Sequence, residues 1–273
     1  MIKVDVHTHT THSHGKNSVE EMYQRGKLLG LEVMGFSEHS PRPLAYTYPR
    51  EYREHLSATF GDYIASVQGL KKQADGPQIL LGLEMDYFPL EEAFIAETLA
   101  CNPYDYVIGG LHFLGTWGFD HSQTDWDALS EEQKRGHYVH YYETLQKMAA
   151  SRLMNIAAHP DLIKIFSVNT FHEWLQEKSA KQLVRHALAA IKENNMSMEI
   201  SSAGLRKPCK EIYPGPVLMQ LATELGLPIT FGSDAHCVNT LGYAFEELAA
   251  YAKDYGYAHS VYFASGKWQE RAF

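Results

Sequence analysis

Cysteine is scarce in this chain. Cys101, Cys209 and Cys237 stand far apart and form no CxxC pair, which argues against a disulfide framework and against a thiolate zinc site. No apolar run approaches the roughly 20 residues of a membrane-spanning helix. The opening MIKVDVHTHT lacks a charged segment followed by an apolar one, so no secretory leader is expected and the protein is expected to be soluble and cytoplasmic. Positive charge is in deficit too: 24 Lys and Arg against 33 Asp and Glu give a formal net charge of −9. An acidic chain without a basic stripe is a poor binder of phosphate backbones, so neither nucleic acid nor a membrane is expected as a partner. No GxSxG elbow and no glycine-rich phosphate loop occurs, and Ser233 reads as turn chemistry rather than a nucleophile. Repeats, low-complexity tracts and linkers are absent as well, which points to a single domain over residues 1–273.

What is present in excess is histidine, 15 residues in 273, and position decides which of them matter. Four fall in the segment DVHTHTTHSH: His7, His9, His12 and His14. Ahead of them Ile2, Val4 and Val6 alternate with Lys3, Asp5 and His7, the period of a β-strand. His7 and His9 therefore share a face at a strand end, half of a ready-made metal site. His12 and His14 compete for one further position, with His14 favoured because Gly15 can bend the chain back. Further short apolar segments alternate with helical patterns, as in βαβ units around a parallel sheet. Strands are expected at Glu32 to Phe36, Gln78 to Leu83, Tyr106 to Leu111, Asn155 to Ala158, Ser197 to Ser201 and Pro228 to Gly232. A last apolar stretch, Ser260 to Phe263, is an eighth candidate. Capping boxes at Ser18 with Glu21 and Ser130 with Gln133 open two of the helices. An aromatic loop (Tyr46, Tyr48, Tyr52) follows the second strand, and a long loop from Phe113 to Asp127 follows the fourth, of a length that is usually functional or mobile.

Candidate ligands recur at the C-terminal ends of these strands: His7 and His9, His39, Glu84, His112, His159, and Asp234 with His236. A parallel barrel brings all its strand C-termini to one mouth, where barrels of this kind place their active sites. Alone, each residue reads more simply as a buried histidine, a surface carboxylate or a helix cap. Jointly they describe one site. One tetrahedral ion needs about four ligands, so this inventory implies two or three divalent metals, with Glu84 and Asp234 able to bridge and Asp5 able to hold a ligand histidine from behind. Imidazole with carboxylate suits zinc, iron or manganese. Such a cluster lowers the pKa of a bridging water and clamps the oxygens of a phosphoryl displacement. His55, His137, His140, His172, His186 and His259 sit in helical or edge stretches and read as structural or solvated.

The segments DVHTHTTHSHG, GFSEHSP, LGLEMDY, GGLHFLGTWGFD, AAHPDLIKIF, EISSAGLRKP and FGSDAH resemble the PHP superfamily (polymerase and histidinol phosphatase) over nearly the whole chain. GLRKP and HPDLIK favour its stand-alone histidinol-phosphate phosphatase branch. The resemblance implies an α/β fold, a distorted (β/α)7 TIM-like barrel, with a trinuclear centre held by His7, His9, His14, His39, Glu84, His112, His159, Asp234 and His236. The family spaces its second and third histidines by one residue more than is found here. The resemblance also implies hydrolysis of L-histidinol phosphate, a late step of histidine biosynthesis, by hydroxide made on the metals, with Asp234 and His236 in the catalytic centre. Arg206 is expected to clamp phosphate or developing charge, with Lys164 and Arg42 as further cations. Trp117, Asp120 and His121 are expected to shape the pocket, Asp120 receiving a substrate ammonium. The partner is then a small phosphomonoester; homo-oligomerisation is left open. Competing readings are a PHP phosphoesterase for a sugar or nucleotide phosphate, a non-catalytic metal-binding module, and an amidohydrolase, which would want a bridging lysine that no strand offers.

Overall fold

The computed structural model describes residues 1–44, 46 and 49–273; Tyr48 of the aromatic loop lies outside the described residues. The strands in chain order begin with β1 (Val4–Asp5), β2 (Val33–Phe36), β3 (Gln78–Asp86) and β4 (Tyr106–Gly110). A small hairpin, β5 (Phe113–Leu114) with β6 (Trp117–Gly118), then precedes β7 (Ile156–Ala157), β8 (Ser197–Ser201) and β9 (Ile229–Gly232). Seven strands form one parallel sheet in the order β1-β2-β3-β4-β7-β8-β9. The ring closes beyond the regular ladders: Thr8 bridges Ala235, and the His9 amide donates to the Ala235 carbonyl at 2.8 Å. Except for Gln78 at the start of β3, these seven strands are buried throughout, as expected where helices cover a parallel sheet.

The helices follow the periodicities of the sequence. Ser18 and Ser130 cap α1 (Val19–Leu28) and α2 (Glu131–Ser151) through reciprocal capping boxes with Glu21 and Gln133. The helix α3 (Lys178–Glu193) buries Ala180, Val184, Ala187, Leu188 and Ile191, a single stripe at helical spacing. Two cores result. The larger lies between the helices and the barrel wall. The smaller fills the barrel interior with Val4, Val6, Val33, Leu80, Tyr106, Ile108, Ile156 and Ala158. Tyr106 reaches across this interior to donate its hydroxyl to the Val6 carbonyl at 2.5 Å. Gly35 and Gly82 make that possible, because a Cβ at either would overlap the Tyr106 side chain.

The eighth candidate strand does not extend the barrel. β10 (His259–Ala264) pairs antiparallel with β11 (Lys267–Ala272) as a separate hairpin. Its Tyr262 and Ala264 join the interior core, while the alternate residues stay more exposed. One face of β10 thus plugs the barrel, which explains why its apolar pattern resembles a barrel strand.

Candidate metal centre

At the C-terminal rim of the barrel, Glu84 on β3 stands at the centre of a ring of imidazoles. Its Oε2 lies 3.3 Å from His7 Nε2, 3.3 Å from His9 Nε2 and 3.0 Å from His39 Nδ1. Its Oε1 lies 3.2 Å from His159 Nε2 and 3.7 Å from His112 Nε2. Asp234, just past β9, places Oδ1 3.3 Å from His9 Nε2 and 3.7 Å from His7 Nε2. The His236 ring stacks on His9 at 4.3 Å, and His39 stacks on the same ring at 4.4 Å. Three overlapping groups can each hold a cation: His7, His9 and Glu84; Glu84, His112 and His159; His9, His39 and His236.

The donor atoms fit divalent cations. His7 Nδ1 is 2.6 Å from Glu199 Oε1; with the ring proton on that nitrogen, the lone pair of Nε2 faces Glu84 Oε2 at 3.3 Å. Acceptor against acceptor in a dry interior is unfavourable unless a positive charge lies between them. His7 Nε2, His9 Nε2, His236 Nε2 and Glu84 Oε2 are all buried without a hydrogen-bond partner. A cluster of cations satisfies all four. Burial alone would raise the Glu84 carboxyl, but His39, His7 and His159 hold it well below the usual carboxylate range. Burial likewise works against charging His9, yet Asp234, Glu38 and Glu84 push it up to about 10. His112, held by Asp86 and Glu84 against the same burial, is pushed up to about 9.

A second layer orients the first. Asp86 Oδ1 accepts from His112 Nδ1 at 2.5 Å, and Arg42 pairs with the same carboxylate. Glu38 Oε2 lies 3.7 Å from His9 Nδ1, and its Oε1 accepts from both the amide and the hydroxyl of Thr10. Asp5 does not support a ligand imidazole. Its carboxylate instead accepts the backbone amides of His7, Ser233 and Gly242, tying β1 to the loop after β9. His159 (φ 25°) and Asp234 (φ 48°) both hold positive φ, unusual for residues with a Cβ and characteristic of strained functional positions.

A cavity of about 380 Å³ opens over the cluster, lined by His14, His39, Glu84, His112, Asp234 and His236. Its remaining wall is Arg42, Pro49, Tyr52, Asp120, His121 and Lys207. His14 stands in this wall, 4.2 Å from the His236 ring and 5.0 Å from that of His39, with Nδ1 3.0 Å from the Tyr52 hydroxyl. It belongs to none of the three tight groups. His12 lies against Tyr63 at 6.1 Å, away from the cavity lining.

Three expected substrate contacts lie outside the cavity lining. Lys164 is fully buried and does not line the cavity; its ammonium is held by Asp161 at 2.8 Å, Glu211 at 3.0 Å and the Ile212 carbonyl at 3.2 Å. Trp117 packs on His137 (4.7 Å) and Trp126 (5.5 Å), because its large apolar surface is better buried under the loop than presented to the cavity. Arg206 turns its guanidinium onto the Ser233 and Asp234 carbonyls at 2.8 and 3.0 Å, with Tyr243 packed against it. It braces the turn that presents Asp234, and its neighbour Lys207 is the cation that reaches the cavity. Lys207, Glu199, Asp86 and Glu38 were not singled out from the sequence. For the three carboxylates a signal existed: an acidic residue inside, or at the end of, an otherwise apolar strand needs a buried partner.

Fold and site together define a class: a parallel α/β barrel that gathers imidazoles and carboxylates at its C-terminal mouth to bind several cations. The comparisons with known proteins agree. The PHP domain family matches residues 5–203, and the PHP-associated family matches 219–254. The chain is 33% identical to the Deinococcus radiodurans protein named Probable histidinol-phosphatase, covering 92% of this chain and 93% of that one. It is 31% identical to the Bacillus subtilis Histidinol-phosphatase, covering 90% of this chain and 98% of the relative. A crystal structure of the Lactococcus lactis histidinol phosphate phosphatase, complexed with zinc, L-histidinol and phosphate, shares the fold. Its TM-score is 0.74 at 20% identity, over 98% of each chain. The chain belongs to the PHP family.

Proposed function

We infer that this protein hydrolyses L-histidinol phosphate to L-histidinol and phosphate, using two or three divalent ions, zinc, iron or manganese, at the Glu84 cluster. The observation that carries the reading is the set of buried lone pairs converging on Glu84 Oε2 beneath a small polar cavity. Relatives that match this chain almost from end to end are named for that activity. The residues that would hold the ions are His7, His9 and Glu84 with Asp234; Glu84, His112 and His159; and His9, His39 and His236, with His14 beside them in the cavity wall. Bound divalent ions supply Lewis acidity and a water that is nucleophilic near neutral pH.

The chain's own residues then bind and orient the substrate. Glu84 and Asp234 set the negative field that holds the cations. Lys207 and Arg42 receive phosphate oxygens, Lys207 as a mobile point charge and Arg42 from a position fixed by Asp86. Asp120 and His121, on the other part of the wall, receive the ammonium and imidazole of the substrate. Arg206 keeps the Asp234 turn in its positive-φ form. No helix among the described residues is long and apolar enough to cross a membrane. We assign one catalytic domain to residues 1–273, and a cytoplasmic location in keeping with amino-acid biosynthesis.

Lys207→Ala is expected to lower kcat/KM for histidinol phosphate by about 10–100-fold, the loss of one charge-assisted contact. Metal content should stay normal. Steady-state kinetics with elemental analysis checks this, run beside a panel of sugar and nucleotide phosphates. A strong preference for another phosphomonoester would displace the substrate assignment.

A further inference from the structure

Glu199 lies in the middle of β8 and is wholly excluded from solvent. A lone carboxylate in a strand otherwise of Ser, Met and Ile needs a reason to be there. Its two oxygens are divided between donors that come from two other strands. Oε1 lies 2.6 Å from His7 Nδ1, and Oε2 accepts from the backbone N–H of His159 at 2.9 Å. Neighbouring β9 leaves the space: a Cβ at Gly232 would overlap Glu199 Oε1.

We propose that Glu199 is a positioning residue that locks His7 in the Nδ1–H tautomer while pinning the turn that carries His159. This rests on reading the Glu84 cluster as a metal centre. A carboxylate offers acceptors only, one oxygen to each of these two partners. The His159 amide can only donate, so Oε2 must accept. With Oε1 also accepting, the His7 proton stays on Nδ1, and Nε2 points its lone pair at Glu84 and Asp234. One carboxylate thereby couples the first and fifth barrel strands, which supply ligands to different cation positions.

An amide of the same shape fails at this position. A glutamine that keeps its oxygen on the His159 amide turns its NH2 toward His7 Nδ1. That forces the His7 proton onto Nε2, the atom that must bind metal. A glutamine turned the other way sets NH2 against N–H at His159. Aspartate keeps two acceptors but is shorter by one methylene.

The test uses metal-loaded wild type, Glu199→Gln and Glu199→Asp, dialysed against graded chelator and analysed for metal per chain. Glu199→Gln is expected to lose metal at chelator concentrations about 10–100-fold lower than wild type, with Glu199→Asp between them. The chelated forms should all still unfold cooperatively. Nitrogen-15 NMR of the wild-type ring is expected to show the His7 proton on Nδ1, a readout that needs no variant to fold. Metal retention by Glu199→Gln equal to wild type, or a His7 proton on Nε2, would overturn the proposal. Wild type that neither carries nor takes up metal would overturn the metal-centre reading beneath it instead.

Discussion

Glu84→Gln should empty the centre. The substitution keeps shape and volume but removes the negative charge that five imidazoles face at 3.0 to 3.7 Å. The amide nitrogen would also present hydrogens where a lone pair is needed. Outer-shell partners of metal ligands already account for up to about 100-fold in affinity or activity. Loss of the shared ligand should therefore exceed that in kcat/KM and remove most bound metal. His9→Ala and Asp234→Ala should behave alike, since His9 belongs to two of the three groups and Asp234 Oδ1 lies within 3.7 Å of both His7 and His9. In each variant the barrel should still unfold cooperatively, because its interior core is built from other residues. Metal analysis with phosphate release checks the first claim and thermal unfolding the second. Wild-type turnover in any of the three would defeat the ligand assignment.

Lys164→Ala is expected to act on stability and leave the centre intact. The Lys164 ammonium is the counter-charge of Asp161, which is itself fully buried, and of the half-buried Glu211. Removing one partner of a buried ion pair costs about 3–5 kcal/mol, because the other charge remains. In a chain of this size that lowers Tm by roughly 10 °C. Burial works against the Lys164 charge, but Asp161 and Glu211 outweigh it and hold its pKa above the ordinary 10.5. That stabilisation is fully present below about pH 10.5 and is lost as pH rises through the elevated value. Burial would raise Glu211, but Lys164 and then His172 hold it below its ordinary 4.5, so its share is present above about pH 4.5 and fades as acid is added. Between those limits the deficit of the variant should be flat in pH. Denaturant unfolding of both proteins measures it, alongside metal content. Normal stability with a raised KM would return Lys164 to the substrate site.

The frame of this fold was legible because two periodicities coincide with it. Apolar runs such as ILLGLEMD mark strands buried on both faces, and most chemistry-bearing residues fall at or just past their C-terminal ends. Helix starts were legible at Ser18 and Ser130, where the capping partner sits three residues on. Whether Ser260 to Phe263 extends the barrel or packs outside it was not legible, because one-dimensional pattern does not say whether an apolar face lines the barrel or plugs it. The outer ring of the site was the least legible part. Arg206 and Lys207 are adjacent cations in one loop, and only the turn of the backbone decides that the first braces carbonyls while the second reaches the cavity. Lys164 follows His159 closely in sequence but turns into a buried charge cluster with Glu211, some fifty residues later. Such long-range pairs leave no local trace.

The most direct measurement is elemental analysis of the purified protein, coupled to phosphate release from histidinol phosphate on the same sample before chelation, after it and after metal is restored. Two or three divalent ions per chain are expected, with turnover abolished by their removal and regained on their return. Undiminished turnover in protein stripped of metal would contradict the account.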